Sequence, residues 1–395
     1  MLKIEVVDNE TALGKCVDDW SQLAAAATPM QSPAWLRAWW HAHQTPQDRL
    51  AVVLLRDTLG AVVGLAPWYQ STSLATGTTL RFLGSGRACS DFQTVLCRSD
   101  MQGEVIGHLC DWLSRRPAHS SHAPCPTSPR WDLIDLEGLS ANHPVMDAFL
   151  IAMRERGHMS HFRSSESTWR IDLAGGWQGF LSRQSKTQRS QTRNLVNRFD
   201  KSSDLNLQIA SELNAQSDSI IETLMELHAM RWRAAGGQGC FAQPAMKNFF
   251  TDAMRTMIAT GQAEIVVLRR NEQPLAAQAL LVQAGQFYMY QSGRDPAEDA
   301  QRVGRIANLV TLRWMCERGA TFIDYLRGDE SYKSRMRAEP AASHRVRIVA
   351  RANFPELRHK IWLACRVVKT RWQDRKPSVI ATQDDEVAET TSTLT

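Results

Sequence analysis

The stretch EIVVLRRNEQPLAAQALLVQ, Glu264 to Gln283, decides the fold, because an earlier stretch echoes it: AVVLLRDTLGAVVGLAPWYQ, Ala51 to Gln70. Each is a β-rich run, a polar turn and a second run of small and apolar residues. The turns read RDTLG and RRNEQP, so each copy predicts an antiparallel hairpin. A third strand follows each, TLRFLGSGR (Thr79 to Arg87) and QFYMYQSGR (Gln286 to Arg294), and both finish in Ser-Gly-Arg.

Helical patterns precede both hairpins: SPAWLRAWWHAH in the first copy, IIETLMELHAMRWRA and PAMKNFFTDAMRTMIATG in the second. In the last of these, Met246, Phe249, Phe250, Met254, Met257 and Ile258 return at three- and four-residue steps, the period of an amphipathic helix. After each third strand come further helices, EVIGHLCDWLSRR and RIANLVTLRWMCERG, leading to the strands WDLIDLEGL and TFIDYLRG. The order helices, hairpin, strand, helix, strand therefore occurs twice. Agreement in the order of five elements predicts two α+β lobes of like fold, each a mostly antiparallel sheet flanked by helices. The division falls near SSESTWRIDLAGG, Ser164 to Gly176.

A chain of 395 residues has room for two such cores. Its 43% hydrophobic and 22% charged residues are those of a soluble globular protein. No window is long and apolar enough to cross a bilayer. The start, MLKIEVVDNE, lacks the basic and apolar regions of a secretory signal and reads as a first strand, so a cytoplasmic chain is expected. The eight cysteines form no C-x-x-C pair and read as free thiols. His119, His122 and Cys125 have a ligand-like spacing, but they sit in a Ser/Pro-rich run without a second half-site, so no metal is expected. The net charge of +5 gathers in Arg183 to Arg198 and again in Arg358 to Lys376. Either run can face an anionic partner. The second, with Trp362, Leu363, Val367 and Trp372, predicts a basic helix suited to weak membrane-surface contact or to docking on the protein body. Residues 377–395 are polar and aperiodic, the pattern of a disordered tail.

With that order in hand, the C-terminal lobe resembles the GNAT N-acyltransferase superfamily. In particular it is similar to the acetyltransferase-like domain associated with cellulose and exopolysaccharide biosynthesis, the CelD type. The residues that carry the likeness are LHAMRW (Leu227 to Trp232), GGQGCF, VVLRRNEQPLAAQALL, YMYQSGRDP and GRIANLVTLRWMCERGATFIDYLRGDESYK. In the first half, SPAWLRAWW, GLAPWY and LRFLGSGRACSDF resemble the same proteins. Two such lobes in one chain are similar to the Fem-type peptidyltransferases, which use aminoacyl-tRNA. The resemblance implies an acyltransferase lobe over residues 166–350; the lobe over 1–165 lacks a clear phosphate loop and is expected to be non-catalytic, with the basic helix over 351–376 and the tail over 377–395 beyond. It implies acetyl-CoA as acyl donor and no metal, with a primary amine of a small molecule, such as a sugar precursor, as acceptor. DNA is not an expected partner, and tRNA is one only under the Fem-type reading.

In that family a loop of the form Q/R-x-x-G-x-G/A binds the pyrophosphate of the donor at a helix start. QRVGRIA stands in its place. Gln301 and Gly304 match, Ile306 departs from the pattern, and Arg302 and Arg305 supply charge for a phosphate. Acyl transfer to an amine further requires that the amine lose a proton, that the carbonyl oxygen be stabilised and that the leaving thiolate receive a proton. The strand FYMYQSG offers Tyr290 and Ser292 on the substrate side. The run LRGDESYK offers Asp329 or Glu330 as base, Tyr332 as proton donor and Lys333 as a holder of anionic groups, while Arg231 supports the acceptor from its helix. A solvated turn with a local ion pair produces the same pattern. Three readings stay open: an acyl-CoA-dependent N-acyltransferase, a Fem-type transferase, and a non-catalytic scaffold.

Overall fold

The hairpin that opened the sequence reading is present twice. In the second lobe Ala263–Arg270 and Gln273–Gln283 pair antiparallel around Asn271. The φ of 49° there lies in the left-handed region, which asparagine tolerates. In the first lobe Val52–Arg56 and Val62–Ala66 pair around a turn in which the Asp57 carboxylate accepts from the amides of Leu59 and Ala61. This computed structural model describes residues 2–115, 130–212 and 217–373; the His119, His122 and Cys125 group and residues 377–395 lie outside them.

The second lobe is one seven-stranded sheet in the order Leu205–Ile209, Ala263–Arg270, Gln273–Gln283, Gln286–Arg294, Phe322–Arg327, Thr168–Asp172, Glu339–Ala341. Every neighbouring pair is antiparallel except Gln286–Arg294 with Phe322–Arg327. The first lobe repeats this plan in two sheets. Proline has no amide hydrogen for the ladder, and Pro67 breaks the long strand into Val62–Ala66 and Trp68–Ser73, which join different sheets.

The last strands are exchanged. Thr168–Asp172 follows the first lobe in the chain, yet it lies in the second lobe's sheet between Phe322–Arg327 and Glu339–Ala341. Ser343–Val349 follows the second lobe, yet it lies in the first lobe's sheet between Leu133–Ser140 and Met159–Ser164. This corrects the expected extent of the C-terminal lobe to residue 350: its last strand completes the other sheet. A buried carboxylate locks each exchanged strand. Asp324 meets Arg170 at 3.3 Å, and Asp135 meets Arg345 through two hydrogen bonds of 2.8 Å.

The lobes also share a core. Helix Pro244–Ala259 buries Met246, Phe249, Phe250, Ala253, Met254 and Met257, the face its periodicity predicts. That face meets helix Pro33–His43, its counterpart in the first lobe. Trp35 packs edge-on against both Phe249 and Tyr290, with ring centroids 4.7 Å apart in each case. Beyond Val349 a helix runs from Asn353 to Gln373, the element expected over residues 351–376.

If the Asp135 pair locks an exchanged strand, Arg345→Met should cost about 3 kcal/mol, the usual loss when one partner of a buried pair is removed. Urea unfolding measures this. The double variant Asp135→Leu/Arg345→Met should recover part of the loss, because Asp135 is then not stranded and only Glu137, which Arg345 also meets at 3.3 Å, loses its partner.

Candidate functional site

Gln286–Arg294 and Phe322–Arg327 run parallel for only two register positions, Phe287 with Ile323 and Tyr288 with Asp324, and then part. Beyond Asp324 the second strand kinks: Leu326 has φ 55° and Gly328 has φ 120°. A left-handed leucine is strained, and side chains hold it there. Asp324 accepts from the Leu326 amide at 2.8 Å, and Asp91, reaching over from the first lobe, accepts from the Arg327 amide at 3.0 Å. Asp91 also takes the Arg327 guanidinium at 2.7 Å. The Lys333 ammonium donates to the carbonyls of Leu326, Arg327 and Gly328 at 3.3, 3.2 and 2.9 Å. The strand end therefore has its polar groups satisfied without the neighbouring strand, and the sheet stays open.

The opposite wall is shaped by a β-bulge. Met289 pairs with Leu280 and Gln291 with Ala279, so Tyr290 is the extra residue outside the ladder. Past Tyr288 the other edge of this strand has no strand partner either. Helix Ser217–Ala234 crosses above it so closely that a Cβ on Gly293 would lie 2.2 Å from the amide nitrogen of His228.

Three residues expected at the site lie within electrostatic reach of one another. Arg231 and Glu330 both act electrostatically on Tyr332. Burial first, and then Glu330, pushes the Tyr332 phenol above its ordinary value, so it is a neutral donor. Its ring stands edge-on to Tyr325 at 6.0 Å, and the Tyr325 hydroxyl donates to Asn308 at 2.7 Å. The Glu330 carboxylate, 52% exposed, pairs with Lys333 at 2.8 Å. Ser292 is half-buried on the parted strand, opposite Gln278.

Others do different work. Lys333 is only 2% exposed, and its ammonium is used up on three carbonyls and Glu330, so it braces the strand end and is not free to hold substrate. The Tyr290 hydroxyl donates to the Ala88 carbonyl at 2.9 Å and its ring stacks on Phe250, which makes it a joint between the lobes and not a substrate-side group. Asp329 points away and accepts from the Trp169 indole at 3.0 Å.

The expected phosphate loop follows the parted strand. A 3-10 turn, Pro296–Gln301, ends at Arg302 in a left-handed cap (φ 56°), and helix Val303–Glu317 begins there. Arg305 and Ile306 both return their amides to the Arg302 carbonyl, while those of Val303 and Gly304 find no acceptor among the described residues. Gly304 keeps the approach low: a Cβ there would come within 3.1 Å of the Arg294 side chain. Ile306, the departure from the motif, is fully buried in the core and does not face this surface. Arg305 is held by Gln188 and Gln191, and burial, with Arg302 and Arg335 nearby, pulls its guanidinium below the ordinary value. Arg198 donates to the Gln301 carbonyl.

Three further buried groups stand near the strand end. Asp91 lies in GSGRACSDF; burial pushes its carboxyl up while Arg327 pulls it back. Asp324 could have been flagged by the repeated Ile-Asp of LIDLEGL and FIDYLRG. His228 is 2% exposed, and burial, then Arg231, lowers it to about 4, leaving a neutral imidazole whose Nδ1 has no partner and whose Nε2 is 3.8 Å from the Cys240 thiol.

Residues 186–334 match the family model of the acetyltransferase (GNAT) domain. Among solved structures, FemX matches with a TM-score of 0.58 at 9% identity, over 87% of this chain and 96% of that one. A conserved protein of unknown function from Bacteroides thetaiotaomicron VPI-5482 matches with a TM-score of 0.52 at 12% identity, over 87% of this chain and all of that one. At these identities the two structures speak to fold, and the fold they share spans both lobes. No curated protein matches the sequence. No described helix is long and apolar enough to cross a membrane.

Asp324 sets a pH dependence of stability. Burial raises its carboxyl from 3.8 to about 6, against the pull of the Leu326 amide and Arg170. Ionising it is therefore harder in the folded than in the unfolded chain. Its stabilisation is complete below its ordinary value and is lost as pH rises through 6. The shift amounts to a few kcal/mol at most. Denaturation midpoints of Asp324→Asn should accordingly fall less than those of the parent protein between pH 4 and pH 7.

Proposed function

We propose that the second lobe transfers an acyl group, acetyl in the first instance, from acyl-CoA to a primary amine on a small molecule such as an amino sugar. The observation that carries this reading is the parting of the two parallel strands after Tyr288 and Asp324, inside the segment that matches the acetyltransferase family model. The donor fits the residues present. The free amides of Val303 and Gly304 at a helix start suit its pyrophosphate, with Arg302 alongside. The unpaired edge of the strand beyond Tyr288 offers backbone N–H groups to the thioester oxygen as it gains charge.

Glu330 then takes the proton from the amine, directly or through one water. The amine nitrogen forms a bond to the carbonyl carbon, and the carbon–sulfur bond breaks. Tyr332, kept as a neutral phenol, gives its proton to the departing thiolate. Arg231, beside Tyr332, holds an anionic group of the acceptor. The first lobe is the non-catalytic one. Its strands Gly77–Phe82 and Leu133–Ser140 also pair in parallel at only two positions, but its own loop covers the end of the second: Gln93 donates to the Gly138 carbonyl at 3.0 Å.

One observation favours the Fem-type reading as the alternative. The likeness to FemX spans both lobes, whereas the family model covers residues 186–334 only. Arg183, at the end of helix Gly176–Arg183, and Lys186, Arg189 and Arg193 on helix Lys186–Lys201 would then track the phosphates of an aminoacyl-tRNA, and binding would weaken steeply with salt.

Thermal unfolding with acetyl-CoA tests the first reading. At about a hundred times its dissociation constant the donor should add roughly 2.7 kcal/mol. Gly304→Phe should abolish the shift. Tyr332→Phe and Glu330→Gln should keep the shift but lower transfer to an amine about tenfold to a hundredfold. No shift at millimolar acetyl-CoA sinks the reading.

A further inference from the structure

The face of the first lobe's sheet beneath helix Asn353–Gln373 has an excess of cations that the proposed reaction does not use. Trp362 on that helix is the centre. Arg347 lies over its ring at 3.8 Å, Arg366 at 5.0 Å and Arg163 at 5.9 Å, while His359 stacks beside it at 5.5 Å and His161 stands edge-on at 5.7 Å.

The two carboxylates facing this group are already engaged. Asp135 binds Arg345 at 2.8 Å and Arg81 at 3.7 Å, and Glu137 binds Arg345 at 3.3 Å. Arg163, Arg347 and Arg366 have no carboxylate within ion-pair distance among the described residues. Arg347 is 4% exposed, and its Nε and one terminal nitrogen are buried without an acceptor. His359 is 3% exposed, and neither ring nitrogen has a partner. Burial, Arg347 and His161 together lower the His359 imidazole to about 4, as expected where positive potential is uncompensated.

A buried guanidinium without an acceptor is costly, and cores rarely keep one. Its unpaired donors, those of His359 and the flanking guanidinium groups of Arg163 and Arg366 all gather around the Trp362 ring, a set of donors suited to a multivalent oxyanion. We propose that this corner is a phosphate site, with Arg347 and His359 as its buried donors and Arg163 and Arg366 at its rim. It takes the phosphate of a phosphorylated ligand. It is separate from the helix start at Val303, because it lies on the first lobe's sheet beneath helix Asn353–Gln373.

The test uses the full-length protein. Inorganic phosphate at about five times its dissociation constant should raise the unfolding midpoint by about 1 °C over chloride of equal ionic strength. Arg347→Met should remove the rise and His359→Leu reduce it, with circular dichroism confirming that both variants are folded. Gly304→Phe should leave it intact. In a parallel arm, the protein is sedimented with phosphatidylcholine vesicles with and without phosphatidylglycerol. A rise with free phosphate that depends on Arg347 supports the site and assigns it to a soluble phosphate ester. Sedimentation that depends on Arg347, needs phosphatidylglycerol and occurs without a phosphate effect supports the site and assigns it to a lipid headgroup. A rise equal in folded Arg347→Met and parent protein overturns the proposal. So does the absence of both effects at tens of millimolar phosphate.

Discussion

The structure depends on a strand end whose backbone is satisfied by side chains. Strands that run parallel normally continue to pair, because unpaired N–H and C=O groups in a protein interior are costly. Here Asp324 and Asp91 accept the amides of Leu326 and Arg327, and Lys333 donates to the next three carbonyls. Three buried charged groups thus do what a neighbouring strand would have done. The opening between Gln286–Arg294 and Phe322–Arg327 is the result, and the kink at Leu326 is held in place by the same bonds.

One of those groups, Asp91, comes from the other lobe, and this explains why the chain carries two. The first lobe supplies the carboxylate that holds the strand end, the Ala88 carbonyl that fixes Tyr290, and the tryptophan that packs between Phe249 and Tyr290. The exchanged strands tie the arrangement together. Ser343–Val349, from the end of the second lobe, completes the first lobe's sheet, and Thr168–Asp172, at the division, lies inside the second lobe's sheet, so the first lobe does not complete its sheet alone. A first lobe whose own opening is covered by its loop still has a structural part in the second.

Much of this was legible in the sequence. The repeat of element order predicted two α+β lobes, and the hairpins, the amphipathic face of Pro244–Ala259 and the basic C-terminal helix lie where their periods put them. The pairing partner of a final strand was not legible. Ser343–Val349 has the alternation of a half-buried strand in either sheet, and the pairing of its Arg345 with Asp135 belongs to the first lobe's sheet. The site was legible in part. LRGDESYK does end a strand in groups that hold charge, with Arg231 and Glu330 within electrostatic reach of Tyr332. The sequence could not divide labour within that run: a lysine beside two carboxylates reads the same whether its ammonium faces a substrate or three backbone carbonyls. Ile306 read as a defect in a phosphate loop because a pattern of letters does not say which side chains face the core.

The most direct measurement is amide hydrogen exchange with and without acetyl-CoA, read residue by residue. Occupation of the opening should slow exchange at Val303 and Gly304 and along the strand beyond Tyr288, with little change at the matching helix start near Gln102 in the first lobe. Unchanged exchange at Val303 and Gly304 under saturating donor, or protection confined to the first lobe, would contradict the assignment of this opening as the acyl-donor site.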